Sequence, residues 1–312
     1  MSILFHSTFI NNKQWLRNIK KKFKGQKIYT FKDKPNYDKI DYAIVWNLPD
    51  KLFAKLKNLR AIFSLGAGVE HILNLPSYKD TPIVRLKDPA LADRIFNHVL
   101  SQILNHQLKL EHYRKAQKAK IWQNELDTYL NNQIQVGILG AGFIGTIVGQ
   151  NLQKLNYNVV GFKNTSAKKK NYFQIYSKNK LNDFIKSSDI IISILPSTAN
   201  TTNFINKNFL RKMKKKSLLI NVGRGTSVNE KDLISHLKSN KNFYASLDVF
   251  KEEPLSKKHP LWSLKNVTIT PHIAGVTVLD SAIEQIHNRW LQIIKTEKIK
   301  NDVNLKKVIN FY

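Results

Sequence analysis

Short apolar runs recur along the chain, and each is followed by a stretch whose apolar residues return at helical spacing. Ile3–Phe5, Tyr42–Trp46, Ala61–Leu65 and Ile83–Leu86 are runs of this kind. Their branched and aromatic side chains suit a pleated surface, and the alternation with helices predicts a parallel α/β sheet. From Pro89 to about Lys118 glycine and proline all but vanish, and Ile95, Val99, Ile103 and Leu110 recur at helical spacing. That stretch predicts one long helix joining two domains. A less regular arm, IWQNELDTYLNN, follows, and a second series opens at Gln133. Its runs IQVGILG, NVVGF, DIIISIL, SLLINV, FYASLDV and VTIT predict six strands in one doubly wound sheet. Beyond Gly275, VTVLDSAIEQIHNRWLQIIK reads as a long amphipathic helix that returns to the first domain.

Length and composition agree with this picture. A chain of 312 residues fits two domains better than one core. No apolar run approaches the roughly 20 residues that cross a bilayer. The opening MSILFHSTFI lacks a basic flank ahead of a long apolar stretch and reads as a strand, so no export is expected. The absence of cysteine excludes disulfides and thiolate chemistry, and it fits the reducing interior of a cytoplasmic protein.

The formal charge of +29 changes the picture less than its size suggests. Only eight of the 51 basic residues are arginine, and the lysines are scattered over nearly every segment. A nucleic-acid surface concentrates arginine and aromatic residues on one element, so neither a nucleic acid nor a membrane is an expected partner. The field would still attract small anionic substrates. His98, His106 and His112 are spaced by eight and six residues, which does not align ligands on one helix face, and no metal site is expected. Trp122 and Tyr129 in the arm read as packing residues at a subunit contact.

The first chemical signal is GAGFIG after the strand IQVGIL, with Gly140, Gly142 and Gly145 ahead of a helical run. The first glycine permits a tight turn, the second lets backbone approach a pyrophosphate, and the third lets helix pack on strand. An NAD site would place an acidic residue about twenty positions further on to bind the ribose hydroxyls. Here no acid occurs between Asp127 and Asp183, and Lys163, Asn164, Thr165 and Ser166 fill that stretch. A cation with hydroxyl donors suits a 2′-phosphate, so NADPH is the expected cofactor and NADH the weaker alternative.

Three further turns each follow an expected strand: NVGRG with Arg224, LDVFKEEPL with Asp248 and Glu253, and VTITPHIAG with His272. Gly223 and Gly225 are expected to let the chain turn sharply around the arginine. Open α/β sheets bind ligands where such strands end. A guanidinium holds a carboxylate through two parallel bonds, which lysine cannot copy. Neutral histidine is a poor proton donor, and a carboxylate nearby, Glu253, favours imidazolium. Reducing a 2-oxo acid needs a hydride source, an acid for the carbonyl oxygen and a cation for the carboxylate.

In this order GAGFIG, LPSTANTT, NVGRG, LDVFKEEPL and TITPHIAG resemble the D-2-hydroxyacid dehydrogenase family. SLGAGVEHIL with VWNLP is most similar to its glyoxylate/hydroxypyruvate reductase A branch. The resemblance implies a Rossmann cofactor domain, residues 99–283, inserted in a flavodoxin-like substrate domain, residues 1–98 and 284–312. It implies a homodimer joined through the long helix and arm. Arg224, Glu253 and His272 would form the catalytic trio. Phe143, Ile144, Leu195, Pro196, Thr201, Val222, Gly223 and Gly275 would line the cofactor cleft, and Asp248 would bind the nicotinamide carboxamide. Backbone amides of Gly66, Ala67, Gly68 and Val69 would hold the substrate carboxylate, which Arg224 shares, and Trp46 would border the pocket. Glu70 departs from the aspartate usual in the branch. The implied reaction is NADPH-dependent reduction of glyoxylate or hydroxypyruvate. The alternatives are a dehydrogenase of another D-2-hydroxy acid and a dinucleotide-sensing, corepressor-like binding protein. A formate enzyme of this superfamily would pair the histidine with glutamine, which Glu253 argues against.

Overall fold

The computed structural model describes residues 1–9, 11–124, 128–164 and 172–303. The chain divides into two compact units, one formed by Met1–Ala90 with the segment from Thr277 on, the other by Leu91–Val276. The boundaries expected at 98 and 284 lie further along the helices Pro89–Gln107 and Leu279–Thr296.

In the first unit β1 (Ser2–His6), β2 (Lys27–Tyr29), β3 (Tyr42–Val45), β4 (Ala61–Ser64) and β5 (Ile83–Val84) form a parallel sheet ordered β2-β1-β3-β4-β5. This is the flavodoxin-like order. Alternate residues of one strand enter different cores, as a parallel sheet covered on both faces requires. Ile3, Phe5, Tyr42, Ile44 and Phe63 pack with Trp15, Ile19 and Phe23 of the helix Asn12–Lys22 and its end, and with Ile286 and Trp290. Leu4, Ala43, Val45 and Ile62 pack on the opposite side with Leu48, Phe53 and Ile72. Burying each large side chain contributes about 1.5–3 kcal/mol. The helix Leu279–Thr296 does return to this unit, as its apolar stripe predicts.

In the second unit β6 (Gln135–Leu139), β7 (Asn158–Phe162), β8 (Gln174–Tyr176), β9 (Ile190–Ser193), β10 (Leu218–Asn221), β11 (Tyr244–Leu247) and β12 (Val267–Ile269) form a parallel sheet. Its order, β12-β11-β10-β9-β6-β7-β8, is doubly wound about β6 and β9, the Rossmann arrangement. Among the described residues seven strands replace the six expected. The additional one, β8, is a three-residue edge strand without a fully buried side chain.

The single long helix expected from Pro89 to Lys118 is two helices, Pro89–Gln107 and Leu110–Lys118. Lys109 between them takes a left-handed φ of 53°. At the break Gln107 is buried and anchored, donating to the Tyr129 carbonyl and Asn131 Oδ1 and accepting the Tyr157 hydroxyl at 2.6 Å. No glycine or proline marks this position.

Candidate active site

β6, β9, β10, β11 and β12 run parallel, so the loops leaving their C-terminal ends share one edge of the second unit. At β6 the chain turns through Gly140 at φ 102°, a region that side chains rarely enter, and Gly142 then caps the helix Phe143–Lys154. A Cβ on Gly145 would lie 2.4 Å from the Gly140 carbonyl oxygen, so the fold itself requires that glycine. Gly142 differs. A Cβ there would meet nothing nearer than the same oxygen at 4.0 Å, and its φ of −81° suits any residue. Protein packing does not explain this glycine. It leaves open space over a helix N-terminus, where the N–H groups of Phe143 and Ile144 find no acceptor among the described residues. A pyrophosphate fits that cradle.

Lys163 and exposed Asn164 follow β7, the Lys163 N–H donating to the Tyr176 carbonyl. The expected cofactor residues Thr165 and Ser166 lie outside the described residues. After β9 come Leu195 and Pro196. Thr201 is buried, and its hydroxyl donates to the Pro196 carbonyl at 2.6 Å, closing this turn.

The arginine between two glycines now has a physical account. A Cβ at Gly223 would lie 2.6 Å from the Leu195 carbonyl oxygen, and one at Gly225 would lie 1.9 Å from the Phe250 carbonyl carbon. Neither glycine takes a positive φ. Close passage of two neighbouring backbones, rather than the sharp turn expected, excludes side chains here. Arg224 itself is extended, at φ −136° and ψ 140°. Its carbonyl accepts from Asn221 Nδ2 and the Ser227 hydroxyl, and its Nη1 donates to the Gly223 carbonyl at 2.8 Å. Val222 lies buried beneath the turn.

Glu253 and His272 meet at the ends of β11 and β12. His272 Nδ1 lies 2.7 Å from Glu253 Oε2, while Glu253 Oε1 accepts the Phe250 N–H at 2.9 Å. Burial pushes the Glu253 carboxyl up, but the His272 bond, the Phe250 N–H and the positive charges of His272 and Arg224 outweigh it. The carboxyl is held below the usual range. A carboxylate can only accept, so Nδ1 carries the proton and Nε2 is the ring atom left for a ligand.

Asp248, only 1% exposed, supports the same loop. Its Oδ1 accepts the Thr270 hydroxyl and the Ile273 N–H, and its Oδ2 accepts the Ala274 N–H at 2.9 Å. The Asp248 carbonyl accepts the His272 N–H, fixing that residue at a left-handed φ of 54°. Any bond to a ligand amide comes in addition to these. The spacing of Asp248 and His272 gave no sign of this brace. Gly275 closes the loop, where a Cβ would press on Ile95 at 3.1 Å.

In the first unit Trp46 directly follows β3, and the loop Gly66–Val69 follows β4. A Cβ on Gly66 would strike the Trp46 ring at 2.3 Å. The Gly66 N–H donates to Ser64 Oγ, which takes it from the amides expected to bind a carboxylate. Those of Ala67, Gly68 and Val69 have no acceptor among the described residues. Consecutive N–H groups without an acceptor are available to bind an anion.

The sequence profile of the D-isomer specific 2-hydroxyacid dehydrogenase NAD binding domain matches residues 100–274. The chain is 32% identical to glyoxylate/hydroxypyruvate reductase A of Photorhabdus laumondii, over 98% of this chain and 99% of that one. The fold is similar to a D-isomer specific 2-hydroxyacid dehydrogenase from Xanthobacter autotrophicus Py2 in complex with NADPH and MES. The TM-score is 0.90 and the identity 28%, covering 98% of both chains. It is also similar to an NADPH-dependent glyoxylate/hydroxypyruvate reductase from Sinorhizobium meliloti in complex with NADP and sulfate. There the TM-score is 0.88 and the identity 28%, covering 97% of this chain and 98% of that one.

Proposed function

Because the chain belongs to the D-isomer specific 2-hydroxyacid dehydrogenase family, we propose that it reduces a small 2-oxo acid, glyoxylate or hydroxypyruvate, with NADPH. The observation that carries this reading is the 2.7 Å contact between His272 and Glu253, in a unit that also carries a glycine, Gly142, whose neighbours among the described residues do not require it.

When bound, the dinucleotide supplies a hydride for C2 of the 2-oxo acid. The residues of the chain then have separate tasks. Glu253 holds the imidazole by Nδ1, so that Nε2 delivers the proton to the oxygen on C2. Arg224 offers a guanidinium to the negative carboxylate and to the oxygen as charge develops there. Asp248 keeps the His272 backbone in its unusual conformation. The amides of Ala67, Gly68 and Val69 receive the carboxylate, and Trp46 borders the substrate. The products are glycolate or D-glycerate. The cradle at Gly142 takes the pyrophosphate, and Lys163 with Asn164 takes the 2′-phosphate.

The same reading extends to a homodimer. Ile121, Trp122, Tyr129 and Leu130 expose large apolar surface, Trp122 as much as 94% of its own. Exposed apolar side chains of this size are expected to be covered by a second copy. Mixing the protein with NADPH and glyoxylate, and following the loss of reduced-nicotinamide absorbance, tests the activity. Absence of turnover with both 2-oxo acids would sink the proposal.

A further inference from the structure

Behind the loop Gly66–Val69 lies a hydrogen-bond chain that the reaction leaves unused. Ser64, the last residue of β4, is fully buried. Its hydroxyl accepts the Gly66 N–H at 3.3 Å, donates to the Gly68 carbonyl at 3.1 Å, and lies 3.3 Å from Nε2 of His71. A hydroxyl has one proton and two lone pairs. With its proton on Gly68 and one lone pair on Gly66, it can meet His71 only as an acceptor, so Nε2 must carry a proton. The other side of the ring requires the same tautomer. Nδ1 accepts the Asn47 N–H at 3.3 Å and must therefore be bare.

The chain reaches the pocket wall as well. The His71 ring lies 4.4 Å from the Trp46 ring between centroids, and Trp46 fills the space that a side chain at Gly66 would need. One imidazole thus touches both Trp46 and, through Ser64, the two ends of the turn Gly66–Gly68.

We propose that His71 is a positioning residue: as its Nε2–H tautomer it latches Trp46 and the turn Gly66–Gly68 together, keeping the amides of Ala67, Gly68 and Val69 free for the substrate carboxylate. This rests on the reading of that loop as the carboxylate site. The latch acts on substrate binding and leaves the cofactor cradle in the other unit alone.

The test compares His71→Ala, Ser64→Ala, the double variant and His71→Gln in steady-state kinetics with glyoxylate and NADPH. Both single alanine variants should raise the KM for glyoxylate about tenfold, as loss of a buried hydrogen bond does. The KM for NADPH should stay at its wild-type value. The double variant should be no worse than either single one, since both break one chain. Glutamine retains a terminal N–H donor for Ser64 and should restore most of the loss. An unchanged KM for glyoxylate, a KM for NADPH that rises in step, or additive losses would overturn the latch. If His71→Ala does not fold, Ser64→Ala and His71→Gln carry the same comparison. Imidazole 15N shifts of His71 test the tautomer directly, and a proton on Nδ1 overturns the proposal. A wild-type protein without 2-oxo acid reductase activity, but with the Nε2–H tautomer, would refute the reading of the loop and leave the latch standing.

Discussion

His272 Nδ1 and Glu253 Oε2 are 2.7 Å apart, and the second oxygen of the carboxylate is bound to the Phe250 N–H, so the glutamate cannot turn away from the ring. The imidazole is oriented by its partner before any substrate arrives. Replacing His272 with alanine should lower kcat by about two to four orders of magnitude, the range for losing a general acid. Glu253→Gln keeps the shape and removes the charge, and it should lower kcat by at least about tenfold on the same grounds. Cofactor affinity, measured by fluorescence titration, should change little in both. Wild-type turnover in His272→Ala would remove the histidine from the mechanism.

Acid should destabilise the protein in two windows. Burial lowers the pKa of His6, His98, His106, His236 and His287 below the ordinary 6.5. The unfolded chain therefore binds more protons than the folded one as pH falls below 6.5. The stability these neutral rings contribute is fully present above that value and is lost below it. Few carboxylates titrate between pH 7 and 5, so a fall in Tm of roughly several degrees over that interval reports the histidines. Glu253 acts lower down. Its depressed pKa gives a contribution that is present above the ordinary 4.5 and lost as pH falls through the folded value. Glu253→Gln should lack that second loss. Calorimetry from pH 7 to 3 separates the two, and a flat Tm between 7 and 5 would contradict the first.

How much was legible in the sequence follows from where each residue sits. β3, β4, β9 and β10 are buried along their whole length, so their apolar runs stand out. β2 and β8 are edge strands of three partly exposed residues and leave no such run. The turns that carry Arg224, Glu253 and His272 could be placed because each follows a recognisable strand. Their supports could not. Asp248 holds the His272 loop across 22 to 26 positions of sequence, and the Ser64–His71 chain is set by the path of the turn rather than by spacing. The reason for Gly223 and Gly225 also lies in other segments, Leu195 and Phe250, which only the folded chain brings near.

Lys163→Ala probes cofactor choice. If the lysine holds a 2′-phosphate, its loss removes a charge-assisted hydrogen bond and should lower kcat/KM for NADPH by about ten- to a hundredfold. NADH lacks that phosphate, so its kcat/KM should be unaffected. A wild-type protein that already uses NADH better than NADPH would end this assignment.

The exposed arm gives a prediction about assembly. Trp122 and Ile121, 94% and 60% exposed, are costly to leave in water, and a second copy would cover them. Trp122→Glu would place a charge inside that contact. Light scattering after size exclusion should show a dimer for the wild type and a large monomeric fraction for the variant. A monomeric wild type at micromolar concentration would refute the interface.

Two glycine-to-alanine changes should separate folding from binding. At Gly225 the new methyl would sit 1.9 Å from the Phe250 carbonyl carbon, a backbone atom that cannot step aside. Gly225→Ala should cost roughly 3 kcal/mol or more, if the protein accumulates at all. At Gly142 the methyl meets nothing closer than 4.0 Å, and the negative φ is one that alanine also adopts. Restricting the unfolded chain then favours the fold by about 0.4–1 kcal/mol, so Tm should hold or rise slightly. The methyl would nevertheless stand where a pyrophosphate approaches the N–H groups of Phe143 and Ile144, and Kd for NADPH should rise at least about tenfold, the loss expected for a charged hydrogen bond. Calorimetry and cofactor titration on the two variants give opposite patterns if Gly142 serves the ligand and Gly225 the fold. Wild-type NADPH affinity in Gly142→Ala would mean that the open space beside it has another use.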